Sequence, residues 1–165
     1  MEHCVGKVRA RQRTRPSDWP GGLDDTLPPK AALSNARENA QKALRLDFDL
    51  PDSHVSLAYI YFCFDWNWDA ADQEFRQAIA LAPGVVRSHR WYAVYLAAMG
   101  RAEEAMAEAQ RAEDLDPLSI PAHDAAAVVA VGIGQYDRSI EEGRKILELD
   151  PDDPRAYVDM TVGYL

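Results

Sequence analysis

Apolar and small residues return every three or four positions along most of this chain, the spacing of helices that bury one face. In "AEEAMAEAQRAEDL", Ala105, Ala109 and Ala112 fall on one stripe where a second helix can approach closely. Ala71, Phe75 and Ala78 hold the same stripe in "DAADQEFRQAIAL", and Ala36, Ala40 and Ala43 hold it further upstream. Leu46, Leu81, Leu115 and Leu149 close the stripes. The helices then stop. Pro83, Pro117 and Pro151 follow three of them, each 34 residues from the last, and proline cannot continue a helix. The endings "FRQAIALAP", "AQRAEDLDP" and "GRKILELDP" are in register, and "AQKALRLDF" reaches Phe48, 35 residues before Pro83.

This period divides the chain into a half unit 29–50, units 51–85, 86–119 and 120–153, and a half unit 154–165. Each full unit reads as two helices. In unit 86–119 they are "RSHRWYAVYLAAM", ending at Gly100, and "AEEAMAEAQRAEDL", stopping before Pro117. Unit 51–85 has one extra residue, placed at the turn holding Trp66. Unit 120–153 carries Ser139 and Gly143 on the small-residue stripe and Gly132 and Gly134 near its first helix, so it is expected to be the loosest. The last half unit would turn Ala156, Met160 and Tyr164 inward. Val158, Val162 and Leu165 are left on other faces, which suggests a homodimer contact there.

The four endings in register resemble the tetratricopeptide repeat (TPR) family, whose 34-residue helix–turn–helix unit carries small, aromatic, small and proline positions in its second half. The resemblance covers residues 30–165. It implies an all-α fold: a right-handed solenoid of antiparallel helix pairs, with about seven to eight helices in residues 29–165. More narrowly, "DWNWDAADQEFRQAIALAP" and "QYDRSIEEGRKILELDP" look like the repeat regions attached to bacterial multidomain regulators. It also implies a protein-interaction scaffold, with first helices lining a concave groove that takes an extended segment or a helix.

Helical spacing then selects the groove residues. Unit 51–85 offers Val55, Tyr59 and Phe62; unit 86–119 offers Arg87, Arg90 and Val94; unit 120–153 offers Asp124 and Val128; and the last half unit offers Arg155. Such a trough suits a protein or peptide ligand with apolar anchors and a carboxylate for the arginines. Some family members grip a chaperone's terminal carboxylate with lysines and asparagines. The comparable places here hold Val55, Tyr59 and Arg90, so that clamp is not expected.

Charge adds one alternative. The net charge is −9, but residues 1–15 carry five bases and one acid, leaving the rest strongly acidic. An acidic body disfavours a broad nucleic-acid surface. The alternation of Lys7, Arg9, Arg11, Arg13 and Arg15 within residues 1–28 reads as a flexible basic tail, or as an arm for nucleic acid in a regulator. The start has no apolar block after its charges and no run is long enough to span a bilayer, so a cytoplasmic protein is expected. Cys4 and Cys63 are too few for a disulfide framework.

Motifs that suggest chemistry yield to the period. Asp65-Trp66-Asn67-Trp68-Asp69 begins like a calcium loop, but the sixth place is Ala70 and the twelfth is Arg76, where Gly and a bidentate Glu are needed. It reads as the inter-helix turn, with Asn67 as a helix cap and Trp68 in a packing slot. His54, His89 and His123 are one repeat apart, too far for a shared metal, so no metal or other cofactor is expected. Glu103, Glu104, Glu141 and Glu142 read as a solvated outer face. No nucleophile or phosphate-loop pattern appears, so no enzyme activity is expected.

Overall fold

The structure is a computed structural model and describes residues 29–163. The basic segment 7–15, Cys4, Tyr164 and Leu165 lie outside the described residues. Eight α-helices and no strand occur among those described: α1 Pro29–Leu46, α2 Pro51–Ile60, α3 Trp68–Leu81, α4 Val86–Ala98, α5 Ala102–Leu115, α6 Ile120–Gly132, α7 Tyr136–Leu149 and α8 Pro154–Gly163. The fold is all-α, as the periodicity predicts.

The helix ends follow local chemistry. Pro51 and Pro121 sit in the first turns of α2 and α6, where the missing N–H has no helical partner to lose. The Asn67 side chain accepts a hydrogen bond from the Ala70 N–H and caps α3, as expected. Between repeats, the carboxylates of Asp47, Asp116 and Asp150 each accept the N–H two residues on, a local turn that sets the chain for the next helix.

Three helix pairs, α2–α3, α4–α5 and α6–α7, stack in sequence, with α1 against α2 and α8 against α6 and α7. The first helices form one continuous row, since α2 packs on α4, α4 on α6, and α6 on α8. No comparable packing joins α3 to α5 or α5 to α7 among the described residues. The outer row is therefore splayed and the inner row tight, which curves the stack around the first helices. The small-residue stripes make the contact: Ala71, Phe75, Ala78, Ala105, Ala109 and Ala112 are all fully buried. Phe75 anchors the central cluster with Tyr92, Tyr95 and Leu96. Truncation of Phe75 to Ala would cost about 3–5 kcal/mol at such a site.

The extra residue of unit 51–85 has a defined place. Where α4 and α6 end, Arg101 N–H bonds Leu96 O and Gln135 N–H bonds Ala130 O, each five residues back. In the earlier unit, Asn67 N–H reaches Tyr61 O, six residues back. The surplus residue is taken up in a π-helical turn, Tyr61–Asp65, at the end of α2. Trp66 is therefore not the insertion. It occupies the left-handed position that Gly100 and Gly134 fill in the next repeats, with φ of 57° against 74° and 78°. A non-glycine residue there is strained by about 1–2 kcal/mol. Its ring is 69% exposed and leans on Trp68 at 5.6 Å.

The expected looseness of unit 120–153 has a different physical meaning. Ser139 is fully buried and donates its hydroxyl to the Asp159 carbonyl oxygen. A Cβ on Gly143 would lie 2.6 Å from Met160 Cγ and 3.1 Å from the Ala156 oxygen. These small residues admit α8 close against α7. Gly143→Val should therefore lower stability by about 2 kcal/mol through overpacking, read as a lower urea midpoint with unchanged far-UV helicity. An unshifted midpoint would show that α8 is not seated there.

Candidate functional site

Each first helix carries a histidine in its first turn, and the three histidines are held alike. His54 Nε2 faces Phe48 O, His89 Nε2 faces Pro83 O, and His123 Nε2 faces Pro117 O, each at 2.9 Å and six residues back. A carbonyl only accepts, so Nε2 carries a proton. The other ring nitrogen faces a glutamate of the second helix: Glu74 at 2.6 Å, Glu108 at 2.6 Å and Glu142 at 2.8 Å. One ring thus joins the incoming loop, its own helix and the partner helix. Tyr157 takes the fourth place, and its hydroxyl donates to Pro151 O at 3.3 Å, again six residues back.

The electrostatics follow from these partners. Burial alone would push His89 down. The Glu108 hydrogen bond, the Pro83 carbonyl and the Glu108 charge outweigh it and hold the ring above its ordinary value. For His123, burial is outweighed by the Pro117 carbonyl and by Glu142 and Glu113.

Around His123 the pattern is enlarged. Glu113 stands where the neighbouring repeats place Ile79 and Leu147, and it lies 3.0 Å from His123 Nδ1. A polar residue in an apolar repeat slot was a readable signal that the spacing argument missed. Glu142, expected on the solvated outer face, is 2% exposed, because the ring draws it inward. Glu113, His123 and Glu142 place ligand atoms within 4.8 Å of one another, close enough for one ion. Lys145, 2.9 Å from Glu142, and Arg138, 3.2 Å from Glu113, already supply positive charge at this spot. Beside it a cleft of about 380 Å³ is lined by Gln110, Glu113, Pro117, His123, Lys145 and Glu148. It opens between second helices, away from the inner row.

The inner row carries the residues selected from sequence. Tyr59 is half-buried, edge-on to Trp91 at 4.7 Å. Phe62 is half-buried against Trp68 and Tyr95. Val94 is half-buried and Val128 is 43% exposed. Val55 differs: it is fully buried in the central cluster, because α4 packs over α2, and it presents no surface. Arg87 reaches Asp52 at 3.3 Å through Nη1, while its Nε and Nη2 are buried without a hydrogen-bond partner. Arg90 lies over the Trp91 ring at 4.8 Å. Arg155 is held by Asp153 at 2.6 Å. Asp124 is half-buried and senses Arg155 and Arg90 as charges.

One charged residue of the inner row was not selected by helical spacing. Asp159 on α8 is 6% exposed, and its Oδ2 has no hydrogen-bond partner. Burial, and then the nearby Asp124 charge, push its carboxyl up to about 7. Ala125 and Trp91 hold the equivalent place in earlier repeats, so this acid too stands in an otherwise uncharged slot.

Solved structures with the same arrangement identify the fold. PilF of Pseudomonas aeruginosa is similar over 82% of this chain, at 24% identity and a TM-score of 0.69, and the chain covers 62% of that protein, under two thirds of its length. YrrB, described as a TPR protein with an unusual peptide-binding site, matches over 82% of this chain and 69% of its own, at 19% identity and a TM-score of 0.59. The second TPR domain of human RPAP3, solved with the HSP70 peptide SGPTIEEVD, matches over 68% of this chain and 92% of its own, at 15% identity and a TM-score of 0.59. This chain has the fold of a TPR solenoid. No family model and no curated protein matches it. Among the described residues of this solenoid, no helix is long and apolar enough to cross a membrane.

The histidine ties predict a pH dependence. A ring held above its unfolded value near ~6.5 contributes fully below that pH and loses its contribution as pH rises through the folded value. For His89 and His123, thermal stability should therefore fall as pH rises above the ordinary imidazole value near ~6.5. The Asp159 carboxyl, raised to about 7, also lowers stability as pH rises toward that value, so Glu108→Gln isolates the histidine part. Melting curves across this range check it, and Glu108→Gln should flatten the slope. A melting temperature that rises over the same range would contradict the assignment.

Proposed function

We propose that this solenoid is a non-catalytic scaffold that binds a protein segment, extended or helical, along the face formed by α2, α4, α6 and α8. The observation that carries the reading is the inner row itself. Four first helices leave Tyr59, Val94, Val128 and Val158 partly uncovered in sequence along one side. Residues on packed helices are fixed in position, so little ordering is required when a ligand docks. The two unpartnered nitrogens of Arg87, Nε and Nη2, favour a ligand carboxylate at the α2–α4 end. The peptide in the RPAP3 structure and the peptide-binding site named for YrrB support the same use of this fold. The acidic balance of the chain disfavours nucleic acid on this face.

The reading is tested by position. A photo-crosslinking residue at Val94 or Val128, in an extract of the source organism, should capture a discrete protein partner. The same residue at Glu103 or Glu141 on the outer helices should not. Capture from the outer positions alone would contradict the groove.

A second contact is supported on α8, where Tyr157 is 56% and Val158 61% exposed. A second copy docking there would give a dimer by light scattering that Val158→Glu converts to monomer. A monomeric parent chain at high concentration would exclude it.

A further inference from the structure

The strongest unexplained feature is the acid pair near α8. Asp124 and Asp159 stand on α6 and α8, which pack against each other, and the Asp124 charge adds to the cost of ionising Asp159. Arg155, bonded to Asp153, and Arg90, over the Trp91 ring, act on Asp124 as charges, yet neither gives a hydrogen bond to the buried Asp159 Oδ2. Asp159 keeps a buried oxygen with no hydrogen-bond partner. A buried carboxyl without a donor is unfavourable, and its repeat equivalents show that the fold tolerates an uncharged residue at this position. The acid is not needed for packing.

We propose that Asp124 and Asp159 receive a lysine or arginine side chain of the protein segment bound in the groove. This rests on the groove reading above and adds polarity to it. A ligand with its carboxylate at Arg87 and its base at Asp124 and Asp159 runs in one direction only along the inner row. The stations are separated by two first-helix spacings at most, about 20 Å, which a short segment spans. Arginine suits the place best, since its planar fork can bond both carboxylates at once.

The probe is a short synthetic apolar peptide with one arginine, compared with the same peptide carrying citrulline, its uncharged isostere. Binding to the full chain is read by fluorescence anisotropy at low salt. The arginine peptide should bind at least tenfold more tightly than the citrulline peptide. Asp124→Asn with Asp159→Asn should abolish that difference and leave the citrulline peptide unchanged. The single Asp124→Asn variant, with a melting curve, guards against a folding defect. Equal binding of the two peptides, competed by Val94→Glu, would overturn the base preference while the groove reading survived. Binding of neither peptide at millimolar concentration would also overturn the proposal, with the groove still judged by crosslinking. If the arginine peptide binds only after Lys7, Arg9, Arg11, Arg13 and Arg15 are replaced by Gln, the chain's own segment is the occupant and the foreign partner is excluded.

Discussion

The repeat stack is organised around a buried imidazole with an acceptor on each side. In each full unit, the ring ties the carbonyl of the loop six residues before it to a glutamate 19 or 20 residues after it. Hydrophobic burial is non-directional and sets how tightly the helices pack. These bonds are directional and set where each first helix begins relative to its partner. Tyr157 preserves the loop half of the tie in α8, with no following second helix among the described residues to supply the glutamate.

Regular placement of first helices yields an inner row, and the row yields a surface. Against this regularity, exceptions become informative. Glu113 and Asp159 are buried acids in slots that other repeats fill with uncharged residues. Their environments differ. Glu113 is surrounded by His123, Arg138 and Lys145 and belongs to a satisfied ionic network. Asp159, on the inner row, retains a buried oxygen with no hydrogen-bond partner. Buried polar groups usually find partners within the fold, so the second case points outward and the first does not.

The 34-residue period was legible because proline stops the second helices at a fixed interval. The small-residue stripes were legible because close helix approach demands them. Helix existence, the Asn67 cap and the turn reading of Asp65–Asp69 followed. Other features depend on neighbours that one helix's spacing does not reveal. Val55 lies on the predicted face of α2 yet is sealed by α4. Glu142 reads as solvated on α7 alone, but His123 on α6 draws it inward. The 34-residue period puts the extra residue of unit 51–85 at the turn holding Trp66. The hydrogen-bond register instead places the surplus in the π turn before it, and gives Trp66 a position that normally needs glycine. Ser139 and Gly143 read as looseness in isolation and are the contact surface for α8.

The account depends most directly on the protonation of the histidine rings. Nitrogen-15 NMR of the His89 and His123 side chains at about pH 6.5 reports each ring nitrogen separately. Nε2 of each ring is predicted to be protonated, and Nδ1, facing Glu108 or Glu142, to be protonated in more than half of the molecules. A neutral single-tautomer pattern, with one bare nitrogen per ring, would contradict the tie on which this description of the stack rests.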